Sequence, residues 1–91
     1  MLINNKSLFK KPEKSFDFRG VCCQIGNNFV VKWRNLSNRN FHYLVHDNNG
    51  DCISFHYDNE SESILFLVAI SCEKSFNEAE QFANFASKAL L

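Results

Sequence analysis

The chain has no surplus of charge: ten Lys and Arg balance ten Asp and Glu over 91 residues. A protein built to hold duplex DNA carries a basic excess that displaces the counterions of the phosphates, so that role is disfavoured, as is that of a strongly acidic decoy. The chain has no long hydrophobic run. The longest, Ile64 to Ile70, is seven residues, against the roughly 20 that a helix needs to cross the hydrocarbon core of a bilayer. No membrane partner is therefore expected. The opening residues, Met1-Leu2-Ile3-Asn4-Asn5-Lys6, lack the apolar stretch of a signal peptide, and a cytoplasmic location is expected. Also missing are a Cys-x-x-Cys pair, a glycine-rich phosphate loop, a paired-carboxylate motif and a dinucleotide fingerprint, each of which ties a known chemistry to a fixed spacing. Proline occurs once, at Pro12, and of three glycines two, Gly26 and Gly50, fall in turn signals.

What is present is a globular composition. Hydrophobic residues make up 45% of the chain and charged residues 22%, with ten phenylalanines and one tryptophan. That aromatic content provides a core and excludes disorder for most of the length. A chain of this size forms one domain and buries roughly 60–65% of its unfolded surface, enough to fold without staples. Residues 1–14, polar after the first three and rich in lysine (Lys6, Lys10, Lys11, Lys14), are expected as a flexible or edge arm, leaving 15–91 as the domain. Four cysteines, Cys22, Cys23, Cys52 and Cys72, sit inside apolar runs. Neighbouring strand residues point to opposite faces, so free buried thiols are expected rather than a disulfide framework.

A two-residue period begins at Phe16. Phe16, Phe18, Gly20 and Cys22 fall on one side, and Asp17, Arg19, Val21, Cys23 and Ile25 on the other. Gly26-Asn27-Asn28 marks a turn, after which Phe29, Val31 and Trp33 alternate with Val30, Lys32 and Arg34. A loop from Asn35 to Asn40 leads to a strand in which Phe41, Tyr43 and Val45 alternate with His42, Leu44 and His46. Asp47-Asn48-Asn49-Gly50-Asp51 is a hairpin signal. Closing it as a three-residue loop pairs Val45 with Ile53, Tyr43 with Phe55, Phe41 with Tyr57, His46 with Cys52 and His42 with His56.

Asp58 to Ser63 is expected as an acidic loop. Ser63 to Cys72 is apolar without alternation, which suits a fifth strand covered on both faces; a short buried helix is the alternative. Ser75-Phe76-Asn77-Glu78 is a capping box. From it Phe76, Ala79, Phe82, Ala83, Ala86, Ala89 and Leu90 recur at three- and four-residue spacing. The fold expected is α+β: an antiparallel sheet of four to five strands, β-β-β-β-β-α, with one C-terminal amphipathic helix on the face of Phe16, Trp33 and Phe55.

A single helix of roughly 25 Å covers only one face of such a sheet. The other would carry Val21, Cys23, Ile25, Val30, Leu44 and Cys52, rimmed by charge, the usual look of an association surface. The function expected is therefore a small non-catalytic protein-binding module. Twelve asparagines beside ten phenylalanines hint at AT-rich coding, and hence at an inhibitor of the toxin-immunity or phage anti-defence type that occludes a partner. The candidate partner-binding residues are Arg19, Lys32, Arg34, His42, His46 and His56 on the sheet, with Asp58, Glu60 and Glu62 in the acidic loop. The same open face would serve a homodimer. The alternative is a single-stranded nucleic-acid-binding protein, in which Arg19, Lys32 and Arg34 and the sheet aromatics form a stacking platform. In its strand-strand-strand-strand-helix order the chain is similar to single-strand-binding folds of the coactivator and Whirly type, a likeness of topology that implies this alternative.

No cofactor, metal or catalytic residue is expected. His42 and His46 lie four apart on a strand, about 13 Å, too far to share one ion, and the cross-strand couples fall short of the four ligands of a structural zinc. Cys52 near His46 lacks an orienting third group and an oxyanion hole.

Overall fold

The two-residue period from Phe16 to Tyr57 folds as four antiparallel strands, β1 (Phe16–Ile25), β2 (Asn28–Asn35), β3 (Phe41–His46) and β4 (Cys52–Tyr57), hydrogen-bonded in chain order. The computed structural model describes residues 8–57, 59–72 and 74–89, and the side chains of Phe55, His56 and Tyr57 lie outside that description.

Register decides which side chains share a face. The loop after β2 closes with Asn35 N–H donating to the Asn40 carbonyl at 2.8 Å, and Arg39 in the left-handed region at φ 64°. This sets Trp33 opposite His42 and Val31 opposite Leu44. The face of Trp33 therefore holds His42, Leu44 and His46, where the sequence reading had placed Tyr43 and Val45. In β3–β4 His46 faces Cys52 as expected, but a bulge follows, so that Val45 faces Ser54 and Tyr43 faces His56. The pairing of His42 with His56 is thereby corrected to His42 with Tyr57. Two more bulges in β1, between Phe18 and Gly20 and between Val21 and Cys23, reset the alternation. Phe16, Phe18 and Val21 end on the Trp33 face, while Cys22, Cys23 and Ile25 pack on the opposite face with Val30 and Val45.

The apolar run after β4 is a helix, α1 (Glu60–Ser71), and not a fifth strand. Its start lies in what reads as an acidic loop. Asn59 is the N-cap, its side-chain oxygen accepting from the Glu62 N–H at 2.9 Å, and Glu60 and Glu62 suit the positive end of the helix dipole. Alternation is absent because α1 is apolar on nearly every side, as a helix sandwiched between two layers must be. One side meets the sheet, where Ser63 Oγ donates to the Tyr43 carbonyl at 2.6 Å, and Phe66, Leu67 and Ala69 are buried in the cluster that holds Val30 and Val45. The other meets α2 (Phe76–Ala89).

The capping box forms as read. Glu78 N–H donates to Ser75 Oγ and Ser75 N–H to Glu78 Oε1, both at 3.2 Å. Yet α2 packs on α1, which holds it off the sheet, so the expected seat of this helix on Trp33 is also corrected. Ala79, Ala83 and Ser87, four residues apart, are its buried side.

What covers Trp33 is the chain's own beginning. Phe9 is buried among Phe16, Phe29, Val31, Trp33 and Leu44, with Leu8 against the same cluster. Lys10 N–H donates to the Gly50 carbonyl at 3.0 Å, and its ammonium pairs with Asp51. Residues 8–15 thus form a strap, and the layers run strap, sheet, α1, α2. Both broad faces of the sheet are at least partly roofed, which removes the open flank on which the docking reading depended.

The strap explains a glycine. Gly26 and Gly50 both sit at positive φ, +60° and +84°, but a Cβ on Gly26 meets nothing, whereas one on Gly50 runs into the Leu8 carbonyl oxygen. Gly26→Ala is expected to cost about 1 kcal/mol, the left-handed penalty alone. Gly50→Ala adds displacement of the strap and is expected to cost about 1 kcal/mol or more beyond that, within the range of enforced backbone strain. Urea denaturation of the two variants side by side checks the difference; equal losses would show that Leu8 does not press on the turn.

Candidate association surface

The nine residues singled out from sequence do not form one site. His42 and His46 are buried, on the strapped face. His42 stacks on Phe16 with ring centroids 5.0 Å apart. His46 accepts from Trp33 Nε1–H at 3.1 Å and lies 2.9 Å, through Nδ1, from the Gly50 carbonyl. A tryptophan N–H only donates and a carbonyl only accepts, so Nδ1 carries the proton and the ring is neutral. Burial first of all, partly offset by the Gly50 hydrogen bond and by Asp47 and Asp51, holds its pKa below the ordinary histidine value. His56 lies in β4, paired with Tyr43 along the backbone. Asp58 lies outside the described residues.

The remaining five fall on or near the other face. There α1 covers the Val30 and Val45 end and leaves the far end half-open. Lys32 Nζ lies 4.1 Å from the centroid of Phe41, and the guanidinium carbon of Arg34 4.6 Å from the same ring. Lys32 also lies 5.9 Å from the centre of Tyr43. Arg19 reaches Asp17 at 3.5 Å, and Asp17 faces Arg34 across the β1–β2 ladder. Glu60, at the start of α1, lies close enough to Cys22 for its charge to push that thiol up. Glu62 accepts from Asn84 Nδ2 at 3.2 Å and so ties α1 to α2. The patch alternates in sign, and Lys32 and Arg34 already lie on aromatic faces, contacts worth about 0.5–1 kcal/mol each at partly exposed positions.

The thiols are free: Cys22, Cys23 and Cys52 are half-buried and Cys72, which the sequence reading placed in the interior, is exposed at the end of α1. Burial, reinforced at Cys22 by Glu60, pushes the Cys22 thiol up to about 11, and burial pushes Cys52 to about 11. Both are protonated and poorly nucleophilic at neutral pH. Among the described residues no group of three or more His, Cys, Asp and Glu side chains is placed to hold a metal ion, and no helix is long and apolar enough to cross a membrane.

The surface that sequence reasoning missed is the outer side of α2. Phe85 is 81% exposed and Phe82 42%. At 100° per residue Phe85 points almost directly away from the buried side of Ala79, Ala83 and Ser87, with Phe82 beside it. Small residues at that four-residue spacing let α2 approach α1 closely, and Phe76, at its first turn, sets a ring against α1, edge-on to Phe66 at 5.3 Å. That spacing was the available signal: a helix whose buried side is Ala-Ala-Ser leaves Phe82 and Phe85 outside its packing. Leu36, in the β2–β3 loop, is 62% exposed but stands alone.

Compared with protein-family models, with curated proteins and with solved structures, the chain matches none.

Proposed function

We propose that this chain is a non-catalytic protein-binding module and that the outer side of α2, centred on Phe82 and Phe85, is its contact surface. The observation that carries this reading is the 81% exposure of Phe85, next to Phe82, on a helix whose opposite side is already packed. Aromatic rings left in water by a folded chain are the commonest anchors of protein interfaces, because each hides a large apolar area at the cost of only two rotatable bonds. An inhibitor that occludes a partner, as the composition suggests, would use the surface in this way. The single-strand alternative draws less support, since the rings nearest Lys32 and Arg34 are covered by those cations rather than offered to a base.

Selection of a displayed random-peptide library on the immobilised chain tests the reading. Apolar or aromatic peptides are expected to be enriched on the wild type, and to lose binding at least about tenfold on a Phe82→Ser/Phe85→Ser double variant. Phe85→Ser alone is expected to change stability by no more than about 0.5 kcal/mol, as exposed substitutions do. Peptides that bind the double variant as well as the wild type would place the contact elsewhere and remove the proposal.

A further inference from the structure

The outer side of α2 is complementary to itself. Glu78, Phe82, Phe85 and Ala89 follow one another at four-, three- and four-residue spacing along one side of the helix. Glu78 lies in the first turn and Lys88 in the last. The two charges are separated by roughly 15 Å along the axis, with the two phenylalanines midway between them and Lys88 flanking that stripe, about 60° round the helix from Phe85. A second copy turned end for end about that midpoint sets Glu78 against Lys88 at both ends. It also places Phe82 and Phe85 on their counterparts and opposes the two helix dipoles. A parallel arrangement would instead set like charge against like. The chain's zero formal charge adds no general repulsion between copies.

We infer that the partner seated on the outer side of α2 is a second copy of this chain, held by a two-fold contact between antiparallel α2 helices. The inference rests on the reading of that side as a binding surface and names its occupant. The two rings expose 42% and 81%, on the order of 250 Å² per copy. A standard interface takes about 800 Å² from each partner, so the pair is weak and exchanges rapidly with monomer.

Sedimentation equilibrium or light scattering on the full chain, from about 10 µM to about 1 mM, is expected to show the mass rising from monomer toward dimer. Glu78→Lys makes both ends of the surface basic, and Lys88→Glu makes both acidic. Each variant alone is expected to stay monomeric, while an equal mixture associates about tenfold or more tightly than either. Phe85→Ser, which leaves the packed side of α2 untouched, is expected to abolish self-association with an unchanged circular dichroism spectrum. It serves where Glu78→Lys weakens the helix start that Glu78 caps. A wild type that stays monomeric throughout overturns the inference, as does a mixture no more associated than its components. If the wild type is monomeric but selected peptides still need Phe82 and Phe85, the dimer falls and the protein-binding reading stands. If peptide binding is also indifferent to the two rings, both fall.

Discussion

Phe9→Ala is expected to remove on the order of 3 kcal/mol of stability, the usual loss when a buried phenylalanine is truncated, and to lower the thermal midpoint by roughly 15 °C. Phe9 is 4% exposed. Its ring lies 5.1 Å from that of Phe29 and 5.3 Å from that of His46, both edge-on, and stacks at 6.0 Å on Phe18. The substitution leaves a void against three strands, one of them through a titratable ring, and the strap that carries Phe9 has few other attachments. Among the described residues those are Leu8, half-buried against the same cluster, the Lys10 N–H bond to Gly50, the Lys10–Asp51 pair, largely solvent-exposed, and the Leu36 N–H bond to the Ser15 carbonyl at 2.7 Å. An exposed pair contributes well under 1 kcal/mol, so the phenylalanine anchors the strap. A domain of this length is stable by roughly 5–14 kcal/mol, and the variant gives up a large part of it. Thermal and urea unfolding, followed by tryptophan fluorescence, reads the loss at Trp33, which lies in the same cluster. If residues 8–15 were instead a frayed arm, the change would stay within about 0.5 kcal/mol, and the strap would have no energetic standing.

That contrast shows what could be read before the fold was in hand. Alternation from Phe16 to Tyr57 located all four strands, and Ser75 with Glu78 located the start of α2, because both signals are local. Assignment of faces was not local. It depended on three bulges and on how the loop from Asn35 to Asn40 closed, and a shift of one residue carries a whole strand's side chains to the opposite face. Hence His42 and His46 moved from an expected open surface into the core. The helix at 60–71 was hidden because burial on both sides erased the periodicity that distinguishes a helix from a central strand. Asn59 and Glu62 then gave the start signal, but one that resembles an acidic loop. The roof over Trp33 was the least legible feature. Nothing in the spacing of Leu8 and Phe9 announces a contact with strands tens of residues away. Phe85 was in plain view, yet a stripe read for its apolar members does not say which of them face inward; the small residues Ala79, Ala83 and Ser87 do.

Below about pH 6.5 the protein is expected to lose stability, at a rate bounded by about 1.4 kcal/mol per pH unit for one site, and His46→Gln is expected to flatten that slope. The sign follows from the folded ring. Trp33 Nε1–H donating to Nε2 requires the neutral ring, while the Gly50 carbonyl accepting from Nδ1 fixes the tautomer and by itself favours the charged form. A second proton would set an Nε2–H against the Trp33 N–H, donor facing donor, inside a cluster that excludes water. Burial is the main reason the folded pKa lies below the unfolded one; Asp47 and Asp51 on the adjoining turn pull the other way, and Lys10 on the strap already engages Asp51. Above the unfolded value both states are neutral and the contribution is complete. As pH falls, the unfolded chain takes up the proton first, so stability declines until the folded pKa is passed. His46→Gln removes the titration and leaves the Trp33 donor with an altered partner, so at pH 7.5 the variant is expected to be weaker by about 1–3 kcal/mol. The two stability curves therefore converge on acidification. Parallel curves between about pH 7.5 and 5 would mean that the acid sensitivity resides elsewhere and that the Trp33–His46–Gly50 chain does not fasten the turn beneath the strap.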